Sequence, residues 1–484
     1  MTQRTHGHAH RLIAAIASLA LLAAACASSA ESTAGEPSIL ETVDGADTTS
    51  TIAAGAETTV PERTAEGGWI GSEPDWRSGG GESSESFTAD AGSDADSDGA
   101  VDSEAVAEDI EAPVPVGQPV DDTPLRAGSV DDNADFADFL AYLDRIADLG
   151  VTTRDLDPTG RSIITVVDET GRPVPGIALE VGVGSELVTL RTTADGTARF
   201  HPAFYGLPTD GVAEFGFASA DMELVSVAAG EDVTMIAPSA DVGAPVPLDV
   251  LFLLDATGSM GDEIDRLKQT VDMVAERVAA LDPAPDVRFA MTLYRDEGDA
   301  FVTANYDFTG DIAEFQAALA DVVADGGGDY PEALDEGLAD ALGKPAWRDP
   351  SDAVQLIFVV ADAPPQVGRQ LDVPYTDSIR TAIERGIKIF PVASSESDDQ
   401  AEAVFRQMAQ ATGAPFVFLS NGAAGAATGD ATDIASTDYE ELALDELVVR
   451  LIAEELSDLN GDNGDEQVTV PTTVAPVITN PDGQ

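Results

Sequence analysis

Three oxygen-bearing side chains follow a strongly apolar run in the second half of the 484-residue chain. The run LDVLFLL is succeeded by DATGSM, so Asp255, Thr257 and Ser259 stand at alternate positions directly after it. In a loop between the end of a strand and the start of a helix, these three side chains can turn toward one point. A carboxylate and two hydroxyls are hard oxygen donors, which suit Mg²⁺, Mn²⁺ or Ca²⁺.

Two other segments carry acidic residues that could join the first three. The apolar run AVQLIFVVA delivers Asp362 at its end, and DGGGDYPEAL places Asp329 and Glu332 after a run of glycines. In a simpler interpretation, Thr257 and Ser259 cap a helix, and the aspartates hydrogen-bond to turn backbones. Capping does not require Asp362 after a separate strand, so the pattern favours a cation site.

The segments between these residues predict the fold that positions them. Residues 248–456 alternate buried strands with amphipathic helices, and the strands include LDVLFLL, VRFAMTLY, AVQLIFVVA, IKIFPVA and PFVFL. Such alternation is typical of a doubly wound α/β fold with a parallel sheet. Ligands of these sheets bind at the carboxyl ends of the strands, near the point where the strand order reverses. We therefore expect Asp255 and Asp362 to lie at that edge.

Several short motifs carry a resemblance to a known family. DATGS, YRDEGD, YDFTGD, GGGDYPEAL and ADAPP occur in this order on the predicted elements. Residues 248–456 thereby resemble the von Willebrand factor type A domain, whose DxSxS or DxTxS motif DATGS matches. Asp362 is similar to the later strand-end aspartate of the family. Glu332 is similar to the glutamate of a DxPE segment that replaces the usual loop threonine in integrin β subunits.

The resemblance implies a metal-ion-dependent adhesion site. The hydroxyls would bind a divalent cation directly, and the carboxylates would bind it directly or through water. Mg²⁺ is the expected ion, with Mn²⁺ or Ca²⁺ as alternatives. One exchangeable position on the cation could then take a carboxylate from a protein or a glycan-associated ligand. The implied ligands of the cation are Asp255, Thr257, Ser259, Glu332 and Asp362.

The same resemblance implies a second cation site beside the first. Asp329 could serve it, and Asp262 and Glu263 occupy positions where integrin β domains carry an adjacent calcium site. Acidic residues in the first turn of a helix are also favourable through the helix dipole alone. The helix dipole is the preferred explanation for Asp262 and Glu263, and the second site stays an alternative.

Charge and composition exclude several other functions. The chain has 24 Lys and Arg against 89 Asp and Glu, a formal net charge of −65, which disfavours nucleic-acid binding because phosphates need cationic partners. Its single cysteine cannot close an intrachain disulfide or build a Cys-rich zinc site. All but one of its 4 His lie in the first ten residues, which argues against catalysis on a histidine base.

An enzymatic use of Asp255 is the competing class of function. DATGS superficially resembles the aspartyl-phosphate motif DKTGT and the aspartic-protease motif DTGS, which would make the protein a phosphotransferase or a hydrolase. The protease needs the aspartate directly before Thr-Gly, but Ala256 intervenes. The phosphotransferase needs a supporting lysine, and none of the chain's lysines (Lys268, Lys344 and Lys388) has that context. We predict no catalytic residues and no enzyme, with a purely structural envelope protein as a further alternative.

The N-terminus predicts export and a lipid anchor. Residues 1–25 carry Arg4 and Arg11 and an apolar run too short to span a bilayer, which is typical of a signal peptide. The run ends in LLAAAC, which resembles the lipobox of bacterial lipoproteins, and Cys26 is the only cysteine of the chain. We expect Cys26 to be lipidated and the protein to face outward from the membrane of a bacterial cell envelope. A simply cleaved signal peptide is the alternative.

Four further regions complete the predicted organisation. Residues 26–132 are acidic and poor in large aliphatic side chains, which predicts a disordered tether, and residues 457–484 predict a disordered tail. An amphipathic helix is expected over residues 133–150. Short alternating runs over residues 156–237 predict a β-sandwich, which resembles carboxypeptidase-regulatory and transthyretin-like domains. The expected protein is a monomer that meets the membrane only through its lipid.

Overall fold

A computed structural model describes residues 125–218, 224–237, 246–328, 330–394, 397–421 and 440–460. The predicted signal peptide, Cys26, most of the predicted tether and the tail from residue 461 lie outside these ranges. Among the described residues, no helix combines the length and the apolar character needed to cross a membrane.

Strands and helices have the following bounds in chain order. The strands are β1 (Arg126–Val130), β2 (Ser162–Val167), β3 (Ala178–Val183), β4 (Glu186–Arg191), β5 (Thr197–Phe200), β6 (Val212–Phe217), β7 (Val225–Ala228), β8 (Val233–Ile236), β9 (Pro247–Asp255), β10 (Asp286–Tyr294), β11 (Thr303–Thr309), β12 (Val354–Ala361), β13 (Lys388–Ala393), β14 (Phe416–Asn421) and β15 (Leu442–Ala443). The helices are α1 (Phe136–Asp148), α2 (Gly261–Ala279), α3 (Ile312–Ala320), α4 (Leu334–Gly343), α5 (Tyr375–Arg385), α6 (Asp399–Thr412) and α7 (Leu444–Asn460).

An eight-stranded sheet positions the predicted site, in the order β11-β10-β9-β12-β13-β14-β1-β15. The strands β10, β9, β12, β13 and β14 run parallel, and antiparallel strands close both edges. The chain passes from β9 to β10 on one side and later to β12 on the other, so the strand order reverses at β9. Leu254 of β9 pairs with Val360 of β12. The carboxyl ends of these two strands, and therefore Asp255 and Asp362, lie at the same edge.

Helices cover both faces of this sheet because its central strands are apolar on both faces. Every residue of β12, VQLIFVVA, is buried. On β9, Val250 and Phe252 pack in one cluster with residues of α2, α3 and α7. Leu251 and Leu253 pack in another cluster with residues of α4, α5 and α6. Alternate side chains of one buried strand thus hold two helical layers, which confirms the predicted doubly wound α/β class.

Residues 162–236 form two smaller sheets, β5-β2-β8 and β4-β3-β6-β7. Phe200 of β5 meets Phe215 of β6 edge to face, with ring centroids 6.1 Å apart, so the two sheets share an apolar interior. The same apolar cluster continues into α4, α5 and α6 of the larger domain. At this junction the buried Lys388 Nζ lies 3.1 Å from Asp195 Oδ2 of the sandwich. These two sheets, here called the sandwich, are therefore packed against the larger domain.

The region before the sandwich differs from its prediction. The predicted tether reached residue 132, but Arg126–Val130 forms β1, which pairs antiparallel with β14 and buries Ala127 completely. The helix predicted over residues 133–150 is α1, which begins at Phe136 and ends at Asp148. The segment RAGSV has no alternation of large apolar residues that would predict a strand. It is buried because it pairs with β14. The sandwich is consequently an insertion between α1 and β9 of the larger domain.

The end of the larger domain also differs in detail. Leu442 and Ala443 form β15 and pair with β1. Helix α7 begins at Leu444 and continues to Asn460, beyond the predicted boundary at residue 456. The pairing partner of β15 lies more than three hundred residues earlier in the chain, and local sequence carries no signal for it.

Candidate metal centre

Asp255 is the last residue of β9 and is fully buried. Thr257 donates two hydrogen bonds to Asp255 Oδ1, from its backbone N–H at 2.9 Å and from its hydroxyl at 2.7 Å. The Tyr294 hydroxyl donates to Asp255 Oδ2 at 3.1 Å. Both carboxylate oxygens are thus held in place by neighbours that favour the ionised form.

Of the two hydroxyls of DATGS, that of Thr257 is turned toward this carboxylate and that of Ser259 toward Thr257. Thr257 precedes a short 3₁₀ helix, Gly258–Met260, but its side chain makes no capping hydrogen bond, and Met260 precedes α2. The Thr257 hydroxyl lies 3.1 Å from the Ser259 hydroxyl. Thr257 is buried, whereas Ser259 is exposed. The helix-capping interpretation is therefore wrong for Thr257, and the pair of hydroxyls leads from the carboxylate to solvent.

Glu332 and Asp362 reach the same edge on neighbouring loops. Both residues are buried, with 5 and 4% of their surface exposed. The Glu332 N–H donates to the Pro364 carbonyl at 3.1 Å, and Glu332 forms an isolated parallel bridge with Pro365. These contacts join the loop that carries Glu332 to the loop that begins with Asp362.

Gly327 allows Glu332 to approach Thr257. A Cβ atom at this position would lie 2.7 Å from Glu332 Oε1 and 3.0 Å from Thr257 Cβ, and the backbone has a φ of +68°. Only glycine adopts this conformation without strain and leaves this space. Gly327 of the glycine run thus has a specific role, which is to leave room for the Glu332 carboxylate and the Thr257 side chain beside its backbone.

The electrostatics of the cluster are those of crowded carboxylates. Burial, and then the charge of Asp362, raise the pKa of the Asp255 carboxyl to about 7. Burial, and then the charges of Asp255, Asp296 and Asp362, raise the pKa of the Glu332 carboxyl to about 8. Each shift measures the cost of placing negative charges together away from water. A bound cation would remove that cost.

The donors present fit a hard divalent cation. Glu332 Oε2 is buried and has no hydrogen-bond partner among the described residues. Thr257 and Ser259 contribute two adjacent hydroxyls, and oxygen-only sets of this kind suit Mg²⁺ or Ca²⁺. Within the described ranges, no group of three or more Asp, Glu, His or Cys side chains forms a metal cluster by itself.

Of the three residues predicted for a second cation site, the structure describes the side chain of one, Glu263. Asp329 lies outside the described residues, and the side chain of Asp262 is likewise not described. Glu263 is buried in the first turn of α2. The hydrogen bonds described for Asp255, Thr257 and Ser259 do not include Glu263.

Two functional neighbours were not predicted individually. Tyr294 ends β10 opposite Asp255 in the sheet register, and its hydroxyl is the donor to Asp255 Oδ2. Asp299 Oδ2 accepts the N–H groups of Asp296 at 3.1 Å and of Gly327 at 2.8 Å. Both residues belong to the YRDEGD motif. The motif was recognised in the sequence, but the roles of Tyr294 and Asp299 within it were not. Asp299 fixes the glycine loop, and Tyr294 fixes the first carboxylate.

A separate cavity of about 240 Å³ lies at the opposite edge of the large sheet. It is lined by the first residues of β9, β12 and β13 and by the sandwich, including Pro247, Gln355 and Lys388. Since Asp255 and Asp362 follow the other ends of these strands, this cavity belongs to the junction with the sandwich. It is no part of the carboxylate cluster.

The fold and the cluster together define a doubly wound α/β domain with a DxTxS loop at its switch point. Residues 249–428 match the von Willebrand factor type A domain family. The chain therefore contains a von Willebrand factor type A domain, as the sequence motifs predicted. The match begins within β9 and includes the loops of Asp255, Glu332 and Asp362.

Two curated proteins are similar to a part of this chain. The chain is 30% identical to alpha-protein kinase vwkA of Dictyostelium discoideum over 118 residues. The aligned part is 24% of this chain and 18% of the relative. The chain is 23% identical over 193 residues to the putative ariadne-like RING finger protein R811 of Acanthamoeba polyphaga mimivirus, which covers 36% of this chain and 18% of the relative. The chain thus spans less than a fifth of the length of these curated relatives.

Solved structures show weak similarity. The conserved hypothetical protein BatB from Bacteroides thetaiotaomicron aligns with a TM-score of 0.30 and 12% identity, over 43% of this chain and 99% of that one. The pilus adhesin SpaC from Lactobacillus rhamnosus GG aligns with a TM-score of 0.29 and 12% identity, over 44% of this chain and 30% of that one.

Proposed function

We propose that the von Willebrand factor type A domain of this chain binds a divalent cation, Mg²⁺ in the first place, with Mn²⁺ or Ca²⁺ as alternatives. The observation that carries the proposal is the Thr257 hydroxyl, which bonds to Asp255 Oδ1 and lies beside the Ser259 hydroxyl instead of capping a helix. The buried Oε2 of Glu332, without a hydrogen-bond partner among the described residues, supports it. The proposed ligands are Asp255, Thr257, Ser259, Glu332 and Asp362.

The role proposed for the cation is to hold a carboxylate of a protein or glycan-associated ligand. A chain with a formal net charge of −65 repels acidic partners. A cation with one exchangeable position reverses that repulsion locally, and the exposed Ser259 marks the side from which a partner reaches it. The protein is accordingly proposed to act in interaction or adhesion, and the match to the type A family supports this role.

Cation binding is tested by titration calorimetry of the full chain with MnCl₂ and with MgCl₂. We expect the wild type to bind one cation tightly and Asp255→Asn to lose that binding. Asp168→Asn is the matched control, because Asp168 is also buried and hydrogen-bonded but belongs to the sandwich. Equal affinity in the wild type and Asp255→Asn would refute the site.

Partner binding is tested with bacterial envelope fractions, in Mg²⁺ and in EDTA. We expect proteins retained by the wild type in Mg²⁺ to be released by EDTA and to be absent with Asp255→Asn. If Mg²⁺ raises thermal stability but retains nothing, the cation stiffens the domain only, and the purely structural alternative is correct.

The enzymatic alternative is that Asp255 acts as a nucleophile in a hydrolase or phosphotransferase. The two bonds from Thr257 to Oδ1 and the bond from Tyr294 to Oδ2 argue against it, because they occupy three of the roughly four lone-pair sites of the carboxylate and make it a weaker nucleophile. Phosphatase and peptidase assays decide the matter. Turnover that disappears in Asp255→Asn would establish the enzyme and remove the adhesion proposal.

The proposed location is the outside of a bacterial cytoplasmic membrane, with a lipid on Cys26 after removal of residues 1–25. The argument is the position of the only cysteine directly after an export-type apolar run. Stable anchoring requires more than one acyl chain. Mass spectrometry of the N-terminal peptide tests this location, and a free thiol or a cleavage site elsewhere would contradict it.

A further inference from the structure

The segment between α1 and the sandwich, residues 151–155, lies against helices of the type A domain. The Thr152 carbonyl accepts a hydrogen bond from Gln400 of α6, and the Thr153 hydroxyl accepts one from Gln407 Nε2 at 3.3 Å. The Arg154 N–H donates to the Tyr375 hydroxyl at 3.0 Å, at the start of α5. This segment, here called the brace, is thus attached at three successive residues.

The side chain of Arg154 continues from the brace into the loop that follows Asp362. This loop, residues 362–374, connects the end of β12 to the start of α5. Arg154 Nη2 donates to the Gln366 carbonyl at 3.2 Å and to the Arg369 carbonyl at 2.8 Å. Only 19% of the Arg154 side chain is exposed. A single guanidinium therefore fixes the middle of a loop whose first residue is a proposed cation ligand.

The same loop holds the other loop carboxylate of the site. Gln366 Nε2 donates to the Pro331 carbonyl at 2.6 Å, and the Pro364 carbonyl accepts the Glu332 N–H at 3.1 Å. Arg154 therefore contacts Gln366, and Gln366 contacts the residue directly before Glu332. Two hydrogen bonds in series connect the brace to the neighbour in sequence of a proposed cation ligand.

We propose that Arg154 is a positioning residue of the cation site. From a segment more than ninety residues before the family match, it holds the 362–374 loop so that Asp362 and Glu332 face Asp255 and Thr257. The inference rests on the proposed cation binding and adds a determinant that no von Willebrand factor type A motif of this chain contains. Cation affinity consequently depends on how the brace is seated.

The physical basis is preorganisation. Asp255, Glu332 and Asp362 are buried at the same edge of the sheet, where ionised carboxylates repel one another, so a restraint is needed to keep their loops together before a cation binds. Hydrogen-bonded groups behind the ligands hold such sets together, and their removal typically costs roughly 10- to 100-fold in metal affinity. A lysine offers a compact, strongly hydrated ammonium in place of the planar fork, and replaces it only in part.

The test is the affinity of the full chain for Mn²⁺ alone, by titration calorimetry. We expect Arg154→Met to weaken binding roughly 10-fold and Arg154→Lys to restore part of the loss. Arg380→Met is the matched control. Arg380 also joins two parts of the fold, with a bond to the Phe204 carbonyl at 3.1 Å and a pair with Asp377, and its side chain is 28% exposed. We expect this control to change thermal stability in EDTA but to leave Mn²⁺ affinity as in the wild type.

A double-mutant cycle separates positioning from general destabilisation. If Arg154 acts through Gln366, then Gln366→Leu weakens Mn²⁺ binding, and Arg154→Met combined with Gln366→Leu weakens it no further than the stronger single change. Additive losses overturn the proposed connection. A wild type that binds Mn²⁺ and an Arg154→Met variant that binds equally well overturn this inference alone. A wild type that binds no Mn²⁺ overturns the cation site itself, and the inference with it.

Discussion

Tyr294 donates its phenolic hydrogen to Oδ2 of Asp255 at 3.1 Å, and both residues are fully buried. They end adjacent parallel strands and face each other in the sheet register. The bond stabilises the ionised carboxylate at the centre of the proposed cation site. The cation affinity of that site is therefore expected to depend on Tyr294, whose side chain is not itself a proposed ligand.

Tyr294→Phe is expected to weaken cation binding. The lost hydrogen bond is worth about 1 kcal/mol, which corresponds to about a fivefold higher dissociation constant. Titration calorimetry with Mn²⁺ measures it. Tyr142→Phe is the control, because Tyr142 is also buried but its hydroxyl has no hydrogen-bond partner among the described residues. Equal weakening in both variants would contradict the role of the Tyr294 hydroxyl.

Gly327→Ala is expected to damage both stability and the site. A side chain at a φ of +68° costs about 1 kcal/mol, and its Cβ would lie 2.7 Å from Glu332 Oε1. Gly328→Ala is the control, since a Cβ there meets nothing within 4 Å. Thermal unfolding and Mn²⁺ titration of the two variants decide the matter. A Gly327→Ala chain with wild-type affinity would show that Glu332 does not need this approach.

Cation affinity is expected to rise as the pH increases from 6 to 9. Protons compete with the cation for carboxyls whose pKa values are raised to about 7 for Asp255 and about 8 for Glu332. Titrations at several pH values measure the change. An affinity that is constant over this range would contradict a site built on these two groups.

Without a cation, the same two groups make folding less favourable as the pH rises. The folded protein retains protons on Asp255 and Glu332 at pH values where the unfolded chain has released them. In the unfolded chain these carboxyls have their ordinary pKa values of 3.8 and 4.5. The stabilisation is therefore complete below about pH 4 and is lost as the pH passes through about 7 and 8. Melting curves in EDTA at pH 5 and pH 9 should differ more for the wild type than for Asp255→Asn. Saturating Mg²⁺ should abolish this additional pH dependence of the melting temperature in the wild type.

Arg406→Ala is expected to release the segment that precedes the sandwich. The guanidinium bonds to both oxygens of Asp132 and to Glu402, and lies 3.7 Å from the centre of the Tyr142 ring. Removing one member of a buried ion pair costs roughly 3 to 5 kcal/mol. Urea unfolding measures the loss, and amide hydrogen exchange should rise in β1 and α1. The control is Arg450, a half-buried residue that pairs with the exposed Glu440, and its replacement by Ala should cost less than about 1 kcal/mol.

The sequence by itself determined the parallel sheet and the composition of the site. LDVLFLL and AVQLIFVVA are apolar at nearly every position, and such short runs are typical of a strand that is buried on both faces. Because ligands of such sheets gather where the strands end, Asp255, Thr257, Ser259 and Asp362 could be predicted as one group. The residue types, all hard oxygen donors, indicated the class of ligand that is proposed, a divalent cation.

The tertiary structure alone decided how that group is held. RAGSV has no strand pattern, and it becomes β1 because β14 and β15 offer it backbone partners and burial. Gly327 acquires its role only when Glu332 and Thr257 approach it from other elements. Arg154 lies 208 residues before Asp362 and contacts its loop only because the chain returns after forming the sandwich. Such contacts join residues that are distant in the chain, so the physical cause lies in packing and not in any local periodicity.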